Sequence, residues 1–196
     1  MTAISVIQEY AEAGKAYRRW YRQARCIIAR IAQLSGFDPG RIADVVAITS
    51  PRVSVTRNMA VALAYLMDGI LLGDIARSTR VAMAHYEATG EIRGPKTSAF
   101  AKALRGDDDA LVIDTHIARA FGYEPRVARS KYVHQAIGKV VTMIARRRKW
   151  TIVEAQAAIW AGYYRAEYRR GRVPLYDISM VETAMPVSVM SGEVPF

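Results

Sequence analysis

The chain has 196 residues, 52% of them hydrophobic and 23% charged. That length favours one domain with a substantial buried core, and that balance excludes a disordered chain. The net charge of +10 predicts a polyanionic partner, nucleic acid ahead of an anionic membrane surface.

Residues 4–34 place apolar side chains at helical spacing (Ile4, Ile7, Ala11, then Ile27, Ile28, Ile31, Leu34), with Arg18, Arg19, Arg22, Arg25 and Arg30 on the other face. One helix ending at Gly36 is expected. Asp38-Pro39 reads as a cap followed by proline at the first helical position, so a second helix should cover 39–49. Ser50-Pro51 breaks it. Further helices are expected over 54–67, 74–88 and 96–104, separated by Gly69, Gly73 and the loop from Gly90 to Pro95. After the polar loop Gly106-Asp107-Asp108-Asp109, a short helix should cover 115–121. Ser130 is a candidate cap for a helix reaching Arg147. Thr151-Ile152-Val153-Glu154 is a capping box for a last helix running to Arg170 and stopping at Gly171. Residues 172–196 hold Pro174, Pro186 and Pro195 and no Lys or Arg beyond Arg172, and are expected as an extended tail. Few alternating β-branched stretches occur, so the expected fold class is all-α.

The single cysteine, Cys26, excludes an internal disulfide and any four-cysteine site. His85, His116 and His134 lack metal-ligand spacing, so no metal and no cofactor are expected. No signal-peptide pattern and no long apolar run occur, which points to a cytoplasmic protein that does not span a membrane.

The segment 90–122 carries the chemistry. A glycine-containing loop leads into a helix N-terminus, where backbone N–H groups and the dipole favour a phosphate. Lys96 sits at that N-terminus, and the same amides disfavour an ammonium and favour the free amine that a nucleophile needs. Asp114 immediately precedes another helix. Its bland role is a helix cap, just as the bland role of Lys96 is a solvated surface lysine.

Gly94-Pro95-Lys96-Thr97 and Ile113-Asp114-Thr115-His116-Ile117-Ala118-Arg119 together resemble the helix-hairpin-helix DNA glycosylase superfamily, endonuclease III in particular. That family shows Gly-x-Lys-Thr, a helix and a loop, then Val-Asp-Thr-His-x-x-Arg. The turn from Ser50 to Asn58 and the segment from Val153 to Arg165 are similar to its flanks in outline, so the resemblance spans about residues 37–171. It implies a two-lobed helical fold, DNA as partner, a flipped nucleotide, Lys96 as the nucleophile on the sugar C1′ and Asp114 as its carboxylate partner. Arg93, Gly94, Thr97 and Arg119 would then contact DNA.

The chain departs from the family in three places, one of them the extended Arg-rich N-terminal helix, which is not part of the family pattern. Ile92 stands where the first hairpin glycine belongs, and the cysteines of the iron–sulfur members are absent. Some phage branches of the superfamily are linked to hypermodified pyrimidines, and there an amino acid or amine would be the co-substrate.

Arg146, Arg147, Arg148 and Lys149 beside Trp150 read either as compensation of a helix dipole or as phosphate contacts. Arg165, Arg169, Arg170 and Arg172 read as the wet face of the last helix. Tyr17 and Trp20, interleaved with arginines, read as base-stacking groups or as core anchors. The Asp107–Asp109 loop reads as solvated.

The expected architecture is a single glycosylase-like helical domain over 1–171, with one lobe from 1–36 plus 130–171 and the other from 37–129. The active cleft is expected at the N-termini near Lys96 and Thr115. The expected activity is a DNA glycosylase/AP lyase. The alternatives are a transferase that hypermodifies a pyrimidine in DNA and a non-catalytic DNA-binding module.

Overall fold

A computed structural model of the chain describes residues 4–127, 130–168 and 173–176. Most of these residues are helical and no strand occurs among them, so the fold class is all-α. The helices are α1 (Ile4–Ala13), α2 (Trp20–Ser35), α3 (Pro39–Thr49), α4 (Val55–Asp68), α5 (Arg77–Thr89), α6 (Pro95–Arg105), α7 (Thr115–Ala120), α8 (Lys131–Arg148) and α9 (Ile152–Tyr168). None is long and apolar enough to cross a membrane.

The chain divides into two compact units. The first holds Met1–Arg22 and Gly106–Val173, and the second holds Gln23–Arg105 and Pro174–Phe196. The divisions fall inside α2, after Arg22, and after Arg105. The boundaries expected from the sequence lie at 36/37 and 129/130.

Helix α9 is the centre of the first unit. Its small residues Ala155, Ala157, Ala158 and Ala161, with Gly162, are buried and let α1, α7 and α8 approach. Ile7, Ala11, Ile117, Ile137, Val141, Ile144, Ile159 and Tyr163 complete that core. The contact with α1 is closest. A methyl group placed on Gly162 would lie 1.9 Å from the Tyr10 carbonyl oxygen, and one on Gly14 would lie 2.0 Å from the Ala158 carbonyl oxygen.

Gly14 is also where the expected single helix over 4–34 fails. Helix α1 stops at Ala13, a 3-10 turn follows at Lys15–Tyr17, and α2 starts at Trp20. The apolar spacing on either side of Gly14 mimics one continuous stripe, but the backbone there is committed to packing on α9. Trp20 is 7% exposed and serves the core, which settles one of the two open readings for that residue. The capping box at the start of α9 forms as expected. Thr151 Oγ1 accepts from Glu154 N at 3.2 Å, and Glu154 accepts from Thr151 N at 3.1 Å. Ser130 stands at the cap position of α8, but its side chain makes no capping bond.

Helix α3 is the centre of the second unit. Every residue from Ile42 to Thr49 is buried, so the helix is enclosed on all sides by its neighbours, including α4, α5 and α6. Asp38 caps α3 as its sequence position predicts, and Ser54 caps α4. Two polar residues inside this unit have dedicated partners. Asp44, 1% exposed, accepts from Tyr86 Oη at 2.7 Å and pairs with Arg105, which ties α3 to α5 and α6. Asn58 donates to Val46 O and Tyr176 Oη and accepts from Thr49 Oγ1, so residues 173–176 of the expected tail pack at least in part through Tyr176 into a buried network. The expected stop at Gly171 and the rest of the tail lie outside the described residues.

Candidate active site

Lys96 lies in the second unit. Helix α5 ends at Gly90 in the left-handed conformation, and a short loop leads to Gly94, also at positive φ (+92°). The Gly94 carbonyl accepts the first bond of α6 from Ser98 N at 2.9 Å. Pro95 then occupies the first helical position and Lys96 the second, where helix amides are unpaired within the helix. Ile92 is half-buried, and Arg93 and Gly94 are exposed. Thr97 is half-buried.

The Lys96 side chain is half-buried and meets Ser50 and Phe100. Its Nζ donates to Ser50 Oγ at 2.6 Å and lies 5.1 Å from the centre of the Phe100 ring, one turn further along α6. Ser50 is the residue that ends α3. Its hydroxyl donates to the Ala47 carbonyl at 2.8 Å, which leaves an oxygen lone pair for the lysine. The turn after it holds Arg52 at a φ of +63°, a conformation uncommon outside glycine and asparagine. Ser50 is thus a positioning residue for Lys96. Sequence alone assigns Ser50 no role, because the contact joins residues 46 positions apart.

Asp114 lies in the first unit. Its backbone is extended, and its Oδ1 accepts from Ile117 N at 2.7 Å, so it is the N-cap of α7. The cap reading is therefore realised. The second carboxylate oxygen has no hydrogen-bond partner among the described residues and is left for another donor. Arg119, at the other end of α7, is exposed.

The basic run at the end of α8 forms a ridge in the first unit. Arg146, Arg147 and Lys149 are exposed, and Lys149 ends the helix in the left-handed conformation. Arg148 is instead partly engaged. It donates to Glu12 at 2.6 Å and lies 4.9 Å from the Trp150 ring, with Arg18 at 5.9 Å from the same ring. Hydrogen bonds from Lys15 and then from Arg148 hold the Glu12 carboxyl below its ordinary range. Both open readings of the run thus have a physical basis: dipole compensation at the helix end and outward-facing cations.

His116 packs among aromatic rings of α9, as a local packing role predicts. The Asp107–Asp109 loop is exposed. No group of His, Cys, Asp and Glu suited to a metal ion occurs among the described residues.

Neither the aromatic face of α9 nor the Asp44–Tyr86–Arg105 triad is among the site residues expected from the sequence. Spacing of four residues between Trp160, Tyr164 and Tyr168 was the available signal for the first.

No curated protein and no solved structure matches the chain. Residues 3–167 match the family of unknown function DUF7178, and the chain belongs to that family.

Proposed function

We propose that the protein is a DNA base-processing enzyme, most simply a glycosylase/AP lyase, in which Lys96 is the nucleophile. The observation that carries this is the 2.6 Å bond from Lys96 Nζ to Ser50 Oγ at the first turn of α6. A surface lysine has no need of a fixed acceptor. A nucleophilic amine does, because a constrained lone pair meets an electrophile at far lower entropic cost.

In the proposed step the neutral amine bonds to the sugar C1′ while the glycosidic C–N bond breaks. The base leaves with that electron pair and takes up a proton. Loss of the amine's protons and opening of the sugar ring leave an imine. Asp114 is the carboxylate that the sequence resemblance assigns to the developing charge. Arg146, Arg147 and Lys149 supply phosphate contacts, and their contribution should weaken steeply with salt. This assignment makes DNA the partner.

The test is intact-mass analysis of both products after incubation with duplexes carrying an abasic site or a modified pyrimidine. Loss of a base or strand scission, absent with Lys96→Ala, supports the proposal. A mass gain on the DNA in the presence of an amine would replace it with the transferase alternative. Binding without any mass change would leave a DNA-binding module.

A further inference from the structure

We infer that Tyr176, far beyond Lys96 in sequence, is a positioning residue for the Lys96 amine, acting through Asn58 on the turn that carries Ser50. The inference rests on the proposed function only for what the amine does with DNA; the placement of the amine is measured without DNA. All of the residues involved lie in the second unit.

The last turn of α3 ends in carbonyls that have no partner within the helix. Two side chains from outside the helix take two consecutive ones. Ser50 Oγ donates to Ala47 O at 2.8 Å, and Asn58 Nδ2 donates to Val46 O at 2.9 Å. Asn58 belongs to α4, so its bond to Val46 closes the turn between the two helices from the far side. That turn has Ser50 at its start and Arg52 at a φ of +63°. The place of the Ser50 hydroxyl, which accepts from Lys96 Nζ at 2.6 Å, therefore depends on Asn58.

Asn58 is 1% exposed and Thr49 is fully buried, so the amide has protein groups and not solvent as partners. Its oxygen accepts from Thr49 Oγ1 at 2.9 Å. Its two N–H groups go to Val46 O and, at 3.0 Å, to Tyr176 Oη. Both donors are thus committed. Removing the Tyr176 hydroxyl leaves one amide N–H buried without its acceptor. A buried bond left unmade costs more than the bond itself contributes, so the amide shifts to recover a partner. That shift loosens its hold on Val46 O and on the turn that follows.

A space-filling role for Tyr176 resides in its ring, whereas the coupling to Lys96 resides in its hydroxyl. Phenylalanine at this position separates the two.

The experiment is acetylation of the full chain with limiting acetic anhydride, in the absence of DNA, with the rate at each lysine read from peptide masses. Lys102, exposed on the same helix α6, is the internal reference. Ser50→Ala removes the acceptor outright and sets the direction of the change at Lys96. Tyr176→Phe should move the Lys96 rate about threefold in that direction, the scale of coupling through packed networks, and leave Lys102 unchanged. The double variant should match Ser50→Ala alone, because the coupling runs through Ser50. Thr49→Val removes the hydroxyl on the other side of Asn58 and should act as Tyr176→Phe does. Melting curves check that each variant is folded. A Lys96 rate that is unchanged, or moved the other way, in either folded variant overturns the inference. So does a change shared by Lys102, or an additive effect in the double variant. A native protein that forms no DNA adduct while Lys96 still responds to Tyr176→Phe would remove the nucleophile and keep the positioning, so the two failures are distinct.

Discussion

Replacing Gly162 with alanine should be among the most destabilising single-methyl changes available to this protein. In a helix interior, Gly→Ala ordinarily stabilises by about 0.5–1 kcal/mol. Here the new methyl would lie 1.9 Å from the Tyr10 carbonyl oxygen and 2.6 Å from its carbon. Ordinary contact begins near 3.4 Å, so α1 would have to withdraw by about 1.5 Å. Backbone atoms cannot rotate aside as a side-chain tip would. A gap of about 0.5–1 Å already forfeits a quarter to a half of each dispersion contact. The contacts at stake include Ile7, Ala11, Ala155, Ile159 and Tyr163, all buried. We therefore expect a net loss of about 3–4 kcal/mol, at or above the upper end of ordinary overpacking.

Gly14→Ala should cost a similar amount, because its methyl would meet Ala158 O at 2.0 Å and Gly162 N at 2.6 Å. One withdrawal of α1 relieves both clashes. The double variant should therefore lose less than the sum of the singles, with a coupling of about 1–3 kcal/mol. Urea unfolding at constant m-value measures all four species. A Gly162→Ala protein as stable as the native one, or strictly additive losses, would refute the close approach of α1 and α9.

Asp114→Ala should cost about 1 kcal/mol through loss of the α7 cap, whereas Asp114→Asn should keep most of that stability. Any DNA-processing activity should fall in both, and the Asn variant separates the carboxylate's charge from its capping role. Arg105→Met leaves the buried Asp44 with Tyr86 as its partner and should destabilise by about 2–3 kcal/mol, read as a fall in the urea midpoint. Burial raises the phenols of Tyr86, Tyr163 and Tyr176 above the ordinary value of 10.0. A raised folded-state pKa adds stability that is fully present below pH 10 and is lost as pH climbs through the folded-state values. Unfolding monitored against pH should show that alkaline loss, and Tyr176→Phe should make it shallower.

Much of the local structure was legible in the sequence because its causes are local. Asp38 and the Thr151/Glu154 box cap helices through bonds to residues three positions away. Gly69 and Gly90 end helices through their own backbone freedom. The break at Gly14 was not legible, since its cause is α9, far along the chain. The same holds for Ser50, whose contact with Lys96 exists only once α3 and α6 pack together. Asp114 shows the opposite case. Its cap was readable from position alone, whereas its proposed chemistry comes from resemblance and needs a separate test. The α9 aromatics were visible as a spacing, but spacing does not distinguish a covered stripe from one that emerges into solvent.

Borohydride trapping tests whether the Lys96 amine attacks the sugar. The protein is mixed with an abasic-site duplex, reduced, digested and mapped by mass. The expected result is a covalent DNA adduct on the peptide containing Lys96, lost in Lys96→Ala and diminished in Ser50→Ala, which retains the lysine but not its Ser50 acceptor. An adduct elsewhere, or no adduct while the duplex remains bound, would contradict it.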